Sequence, residues 1–322
     1  MKKEKILFAK ELVDVKDGDE ICEYFLNKEY RVLKDRNDND YLSLNLSDKT
    51  GDIAAKKWDV FDEDLDILEQ NSIIKILGNK DSYNGKAQVL IKRLRGISDK
   101  DAIIMSDFLK TAPEPSEELF SFVLKKANEI TDEKLKKIVK EFLAENKEQL
   151  LYFPAAKSNH HAYFGGLLYH MKRMLSLSEK YLELYKNINR DLIIAGTILH
   201  DIGKLWEFDA DENGIVKAYT PKGNMITHLI IGIMEFEKKA EKYNLDEEYR
   251  MLIEHMILSH HGEPEFGSPV KPAFPEAEIL HHIDVSDAKL SAMEEELENL
   301  SSGKLSDRLY NLENRHLYKK KG

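Results

Sequence analysis

The string Tyr41-Leu-Ser-Leu-Asn-Leu-Ser47 alternates polar and apolar residues, which puts Leu42, Leu44 and Leu46 on one face of an extended chain. Asp48-Lys-Thr-Gly51 then supplies a turn into Ile53 to Val60, and the pair predicts a β-hairpin. Ser72 to Leu77 and Ala87 to Leu94 are β-rich runs, joined by a loop that holds Asn79 and the Tyr83-Asn84-Gly85 turn. Short strands recurring from about residue 5 to 97 predict a small closed barrel. The texture changes across Asp107 to Ser116, which contains Pro113 and Pro115. Beyond it, apolar residues recur every three or four positions and predict helices over 117–130, 132–146, 165–186, 191–200, 225–243, 247–260 and 276–298. The organisation expected is an all-β domain over 1–105, a linker over 106–116, and an almost wholly α-helical domain over 117–322.

With 322 residues, 42% of them apolar, the chain has enough hydrophobic material for two cores. Its net charge of −11 argues against a surface that is basic throughout. Residues 71–100 nevertheless carry a net +5, which leaves room for a local basic patch. Glu294, Glu295, Glu296 and Glu298 read as a solvated helix face. Cys22 is the single cysteine, so no internal disulfide forms and any metal must be held by nitrogen and oxygen. No uncharged apolar run approaches the roughly 18 residues of a membrane span, and no export signal stands out. A cytoplasmic location fits.

Ten of the eleven histidines lie between residues 160 and 282. Among them the adjacent His200-Asp201 pair closes one apolar helix, and His260-His261 closes another. His170, His228 and Asp284 lie on three more predicted helices. Five elements thus point imidazoles and carboxylates at one interior, as metal sites in helical bundles do. These ligand types suit Mn, Fe, Zn or Mg. One ion would take His170, His200, Asp201 and Asp284, and a second His228, His260 and His261, with Asp201 bridging the two. Asp287, one turn beyond Asp284, is the alternative terminal ligand. His255, His281 and His282 read as hydrogen-bonded core residues or as supports behind the ligands. Lys204, three residues past Asp201, can neutralise a phosphate oxygen without binding metal, or be a lysine favoured by a helix end. His161 precedes the first ligand helix within reach of a substrate, beside Ser158 and Asn159 as capping residues.

The order His170, His200-Asp201, His228, His260-His261, Asp284 resembles the HD superfamily of metal phosphohydrolases, in its two-metal form. More narrowly, the strings from Pro154 to His170 and from His255 to Pro269 resemble the YhaM-type 3′-to-5′ exoribonucleases, as does Glu276 to Asp287. Tyr41 to Trp58, with its Leu-Ser-Asp-Lys-Thr-Gly-Asp-Ile, is similar to the OB-fold domain of that family. The segment Ile283-Asp284-Val285-Ser286-Asp287 departs from the family, where Asn-Leu tends to stand between the acids, and both acids therefore stay open. The resemblance implies an OB-like barrel followed by an HD-type helical domain. It also implies two divalent ions with Mn favoured (Fe, Co, Ni, Zn or Mg as alternatives), and release of nucleoside 5′-monophosphates from the 3′ end of single-stranded RNA, with single-stranded DNA as a further substrate. Catalysis would fall to Asp201, Lys204 and His161. Lys56, Lys57, Lys92, Arg93 and Arg95 become candidate phosphate contacts, with Trp58 and Tyr83 as stacking platforms. Rival readings are a phosphodiesterase of nucleotides or cyclic dinucleotides, and a non-catalytic RNA-binding module with structural metals. A second copy of the chain, in a homo-oligomer, is a further candidate partner.

Overall fold

In a computed structural model, residues 6–98, 101, 103–104, 107–109, 111–157 and 163–321 are described. The chain divides into two compact units, 1–110 and 111–322. The expected linker straddles this division. Asp107 is held in the first unit by Lys49, 2.7 Å away, whereas Ala112 N–H donates to Phe164 O within the second.

In the first unit, strands β1 (Glu20–Lys34), β2 (Asp40–Asp48), β3 (Gly51–Lys57), β4 (Ile73–Tyr83) and β5 (Lys86–Gly96) close into a barrel in the order β1-β2-β3-β5-β4. The alternation in β2 does its predicted work, with Leu42, Leu44 and Leu46 all buried in the barrel core. A bulge between Asn27 and Glu29 lets the long β1 serve two neighbours: its first half pairs with β4 and its second with β2. A short parallel pairing of Ala54–Lys56 with Gln88–Leu90 completes the closure. At the β4/β5 irregularity a Cβ on Gly78 would meet Leu90 O at 2.3 Å, so only glycine fits there. Asn79 lies inside β4 rather than in a loop, and the turn itself is Asn84-Gly85. Helix α1 (Asp62–Gln70), with its acidic first turn, joins β3 to β4.

The second unit builds around α6 (Arg190–Leu199), in which every residue from Asp191 to Leu199 is buried. Around it pack α2 (Ser116–Asn128), α3 (Glu133–Glu145), α5 (Gly166–Leu184), α9 (Glu247–Ser259) and α10 (Pro275–Asn299). The short helices α4 (Lys147–Leu150) and α7 (Lys204–Glu207) and the long α8 (Pro221–Tyr243) complete the helical set. Caps are placed by sequence. Asp132, Asn189 and Asp246 accept from the first free N–H groups of α3, α6 and α9, and Thr220 does so for α8, which has Pro221 at its first position. A two-stranded ribbon, β6 (Phe208–Ala210) with β7 (Val216–Tyr219), interrupts the helical pattern. Among the described residues no helix is long and apolar enough to cross a membrane.

Candidate metal centre and nucleic-acid surface

His200 caps the C-terminus of α6, and Asp201 sits in the turn just past it; both are buried. His260 caps α9 in the same way, with His261 following. His170 comes from the second turn of α5 and Asp284 from α10. His228 follows a break inside α8, where Thr227 takes φ 59° and ψ 165°, a conformation costly for a β-branched residue. That break frees the His228 N–H from the helical ladder, and it donates to Glu207 Oε1 at 2.8 Å.

The two oxygens of Asp201 divide the cluster. Oδ2 lies 3.9 Å from His170 Nε2 and 3.4 Å from His200 Nε2; Oδ1 lies 3.5 Å from His228 Nε2 and 3.7 Å from His260 Nε2. Two sets of ligand-type atoms, one from His170, His200 and Asp201 and one from His228, His260 and His261, each fall within 4.8 Å of one another. Asp284 Oδ1 lies beside the first set, 3.3 Å from His170 Nε2. Asp287 lies on the other side of His170: it is fully buried, takes Nδ1–H at 2.7 Å, and pairs with Arg173 Nε at 2.5 Å.

The hydrogen bonds behind the rings decide which nitrogen faces inward. His200 Nδ1 meets Thr197 O at 2.8 Å and His260 Nδ1 meets Ile257 O at 2.8 Å. A carbonyl only accepts, so both Nδ1 atoms carry hydrogen, and the inward-facing Nε2 is the nitrogen left to offer a lone pair to a cation. Glu207 does the same for His228, with both oxygens 3.1 Å from Nδ1. His200 Nε2, Asp201 Oδ1, His228 Nε2, His260 Nε2 and His261 Nδ1 are buried and have no hydrogen-bond partner among the described residues. Five such atoms in one pocket would be costly in an apoprotein core, and together they match the donor set of a divalent cation.

Burial holds His260 well below the ordinary imidazole range and lowers His261 to about 4, so neither ring becomes a charged imidazolium at neutral pH. Burial works against charge on Asp201 as well, yet the Lys204 ammonium keeps it ionised. Lys204 Nζ lies 2.6 Å from Asp201 Oδ2; against its own burial, Asp201 keeps it protonated. His170 is the exception among the imidazoles: despite burial, Asp284 and Asp287 push it up to about 10. A cation entering beside Asp284 therefore competes with that proton.

His281 supports the cluster from behind, with Nδ1 2.8 Å from His260 O. His255 Nε2 accepts from Ala273 N–H, and His282 pairs with Glu278 on the surface. His161 lies outside the described residues. Sequence reasoning missed Glu207, Thr227 and Arg173, none of which carries a local signal.

On the barrel, Lys56 Nζ stands over three rings, 5.5 Å from the centroid of Tyr41, 5.6 Å from Trp58 and 5.1 Å from Tyr83. Tyr41 and Trp58 are in ring contact at 4.9 Å, and Trp58 and Tyr83 are exposed. Tyr41 escaped the sequence reading, although it has the outward parity of β2. Lys57 is corrected: it is 2% exposed and pairs with Asp64 Oδ2 at 2.7 Å and with Asp59 O, so it braces α1 instead of meeting phosphate. Arg95 is committed to Asp101 through two bonds of 2.7 and 2.8 Å. Lys92 and Arg93 are exposed, with no acidic partner among the described residues. Arg93 and Arg95 border a hollow of about 390 Å³ together with Lys75 and the exposed thiol of Cys22.

The HD domain family matches residues 167–289. The chain is 38% identical over 311 residues to the 3′-5′ exoribonuclease YhaM of Geobacillus sp. (strain WCH70), covering 97% of this chain and 95% of that one. It is 36% identical over 302 residues to the Bacillus subtilis (strain 168) enzyme of the same name, covering 94% and 95%. With its Listeria innocua counterpart it shares 35% over 309 residues, covering 96% and 98%. A solved Replication Protein A heterotrimer bound to ssDNA gives a TM-score of 0.24 at 11% identity over 31% of this chain and 84% of the other.

Proposed function

This chain belongs to the YhaM family of 3′-5′ exoribonucleases, and we propose that it removes nucleoside 5′-monophosphates from the 3′ end of single-stranded RNA with two divalent ions, Mn favoured, held by the histidine–aspartate cluster. The observation that carries the metal assignment is the set of five buried, unpartnered ligand atoms around Asp201. His170, His200, Asp201 and Asp284 would hold one ion, and His228, His260 and His261 the other, with each Asp201 oxygen turned to one set. Bound there, the ions supply a nucleophilic water at neutral pH and offset charge on the phosphate.

The chain's own groups prepare that chemistry. Thr197 O, Ile257 O, Glu207 and Asp287 fix the tautomer and direction of four imidazoles, so that little reorganisation is left when a substrate arrives. Lys204 keeps its proton beside Asp201 and can offer it as a hydrogen bond to a non-bridging phosphate oxygen. His161, by its place in the sequence ahead of the first ligand helix, would contact the substrate. On the barrel, Lys56, Trp58 and Tyr83, with Tyr41 added, form a stacking platform, and Lys92 and Arg93 are the phosphate contacts; Arg95 shares its charge with Asp101.

The test is product analysis of 5′-labelled single-stranded RNA with Mn, against chelator. A ladder receding one nucleotide at a time, with 5′-monophosphates released, is expected; endonucleolytic fragments, or turnover unaffected by chelator, would refute the reading. Asp201→Ala should lower turnover by roughly a thousandfold while RNA affinity stays near that of the parent chain.

A further inference from the structure

The chain beyond α10 folds back on the helix that precedes it. Gly303 N–H donates to Lys319 O at 2.7 Å, Ser306 N–H to Leu317 O at 2.8 Å and Leu309 N–H to Arg315 O at 3.0 Å, making an irregular hairpin. Two contacts lay it along α10: Lys319 Nζ on Leu297 O and Lys289 Nζ on Glu313 Oε1, each 2.6 Å. At about 1.5 Å of rise per residue, Lys289 stands only about 7.5 Å along the axis from Asp284. The hairpin's tip is therefore tied to the middle of α10, five residues past Asp284.

Its composition runs against that of the chain. Where the whole carries −11, residues 300–321 carry a net +4. Lys304, Arg308, Lys320 and Lys321 are exposed and have no acidic partner among the described residues. The hairpin buries Leu312 yet leaves Tyr310 88% exposed and Tyr318 54% exposed. Cations without acidic partners, interleaved with outward rings, suit a flexible polyanion that carries flat bases: the rings stack on bases and the ammonium and guanidinium groups follow the phosphates. A folded acidic partner would use the charges but leave the rings without a role.

We propose that residues 303–321 form a second single-strand-binding surface, on the catalytic unit itself, which grips the RNA upstream of the bond being hydrolysed. This rests on the exoribonuclease reading and adds to it a site apart from the barrel platform. The test uses the full chain with Lys304, Arg308, Lys320 and Lys321 all changed to Gln, and separately Tyr310→Ala and Tyr310→Phe. Substrates are an RNA of about twenty nucleotides and a dinucleotide. For the long RNA the quadruple variant should raise KM about tenfold and flatten the logarithmic salt dependence by about 0.7 for each phosphate no longer neutralised, while dinucleotide turnover is unchanged. Tyr310→Phe should behave as the parent and Tyr310→Ala should not. An unchanged KM and salt slope for the long RNA, or equal loss on both substrates, would overturn the proposal. Anisotropy of labelled RNA in chelator separates the two readings: weaker binding by the quadruple variant upholds this surface even if no hydrolysis is seen, whereas absent hydrolysis alone defeats the catalytic reading.

Discussion

Asp201 has one oxygen for each half of the histidine cluster, and its neighbours use their other polar atoms to keep that division intact. Glu207 is the clearest case. It takes both the N–H and the Nδ1–H of His228, and the first of these is available only because Thr227 breaks the α8 ladder. Strain at Thr227, of order 1–3 kcal/mol, is thus tied to the aim of the neighbouring ring. Glu207→Gln keeps an acceptor but loses the charge behind the imidazole. Mn affinity should fall roughly 10- to 100-fold by calorimetry, with the melting temperature little changed; an unaltered affinity would remove Glu207 from the metal's support. The histidines and acids were legible in sequence because few other residue types hold cations. Their supports were not, since a carboxylate six residues past Asp201 has no spacing rule that links it to His228. Lys57 was misjudged although parity could have corrected it: it shares the inward face of β3 with Ile53 and Ala55, whereas Lys56 points outward.

At the level of elements, glycines decide how closely α7 and α8 approach. A Cβ on Gly203 would meet His228 O at 2.0 Å, and one on Gly223 would meet Glu207 O at 2.3 Å. The segment after Asp201 and the helix of His228 are therefore packed backbone to backbone. Further along, α8 is clamped to α3 by Glu141, which Lys239, Lys242 and Tyr243 hold at about 2, below the usual carboxylate range. Its folded value is below the unfolded one of about 4.3, so the contribution is complete above that pH and vanishes as pH falls towards 2. The stability gap between the parent and Glu141→Gln, about 1 kcal/mol near neutrality after solvent screening, should close across that interval in denaturant titrations; a gap independent of pH would refute the clamp. Long amphipathic helices were legible within a few residues because their apolar stripes are wide. Helix α1 was not, since it buries only Asp64 and Leu68, and the β6–β7 ribbon is too short to establish a period. The bulge in β1 likewise breaks the alternation that would have revealed a fifteen-residue strand.

At the scale of the molecule, each unit has its own apolar core, with the barrel's leucines and isoleucines in one cluster and the helices' in another. Residues 111–322 should therefore fold when expressed alone. That fragment should hydrolyse a small phosphodiester at close to the full chain's rate and bind long RNA more weakly, most visibly at low salt. Parallel loss of both activities would show that the barrel shapes the catalytic pocket. Fold class was legible here because the hydrophobic period changes from two to about 3.6 across the proline-bearing stretch. The C-terminal hairpin was not, because its pairing is irregular and its rings face water. The barrel carries one more asset. Since Cys22 is the chain's single sulfhydryl and opens beside Arg93, a maleimide dye would attach at one known place without any engineering, and its brightness would report the arrival of a nucleic-acid strand at that hollow in real time.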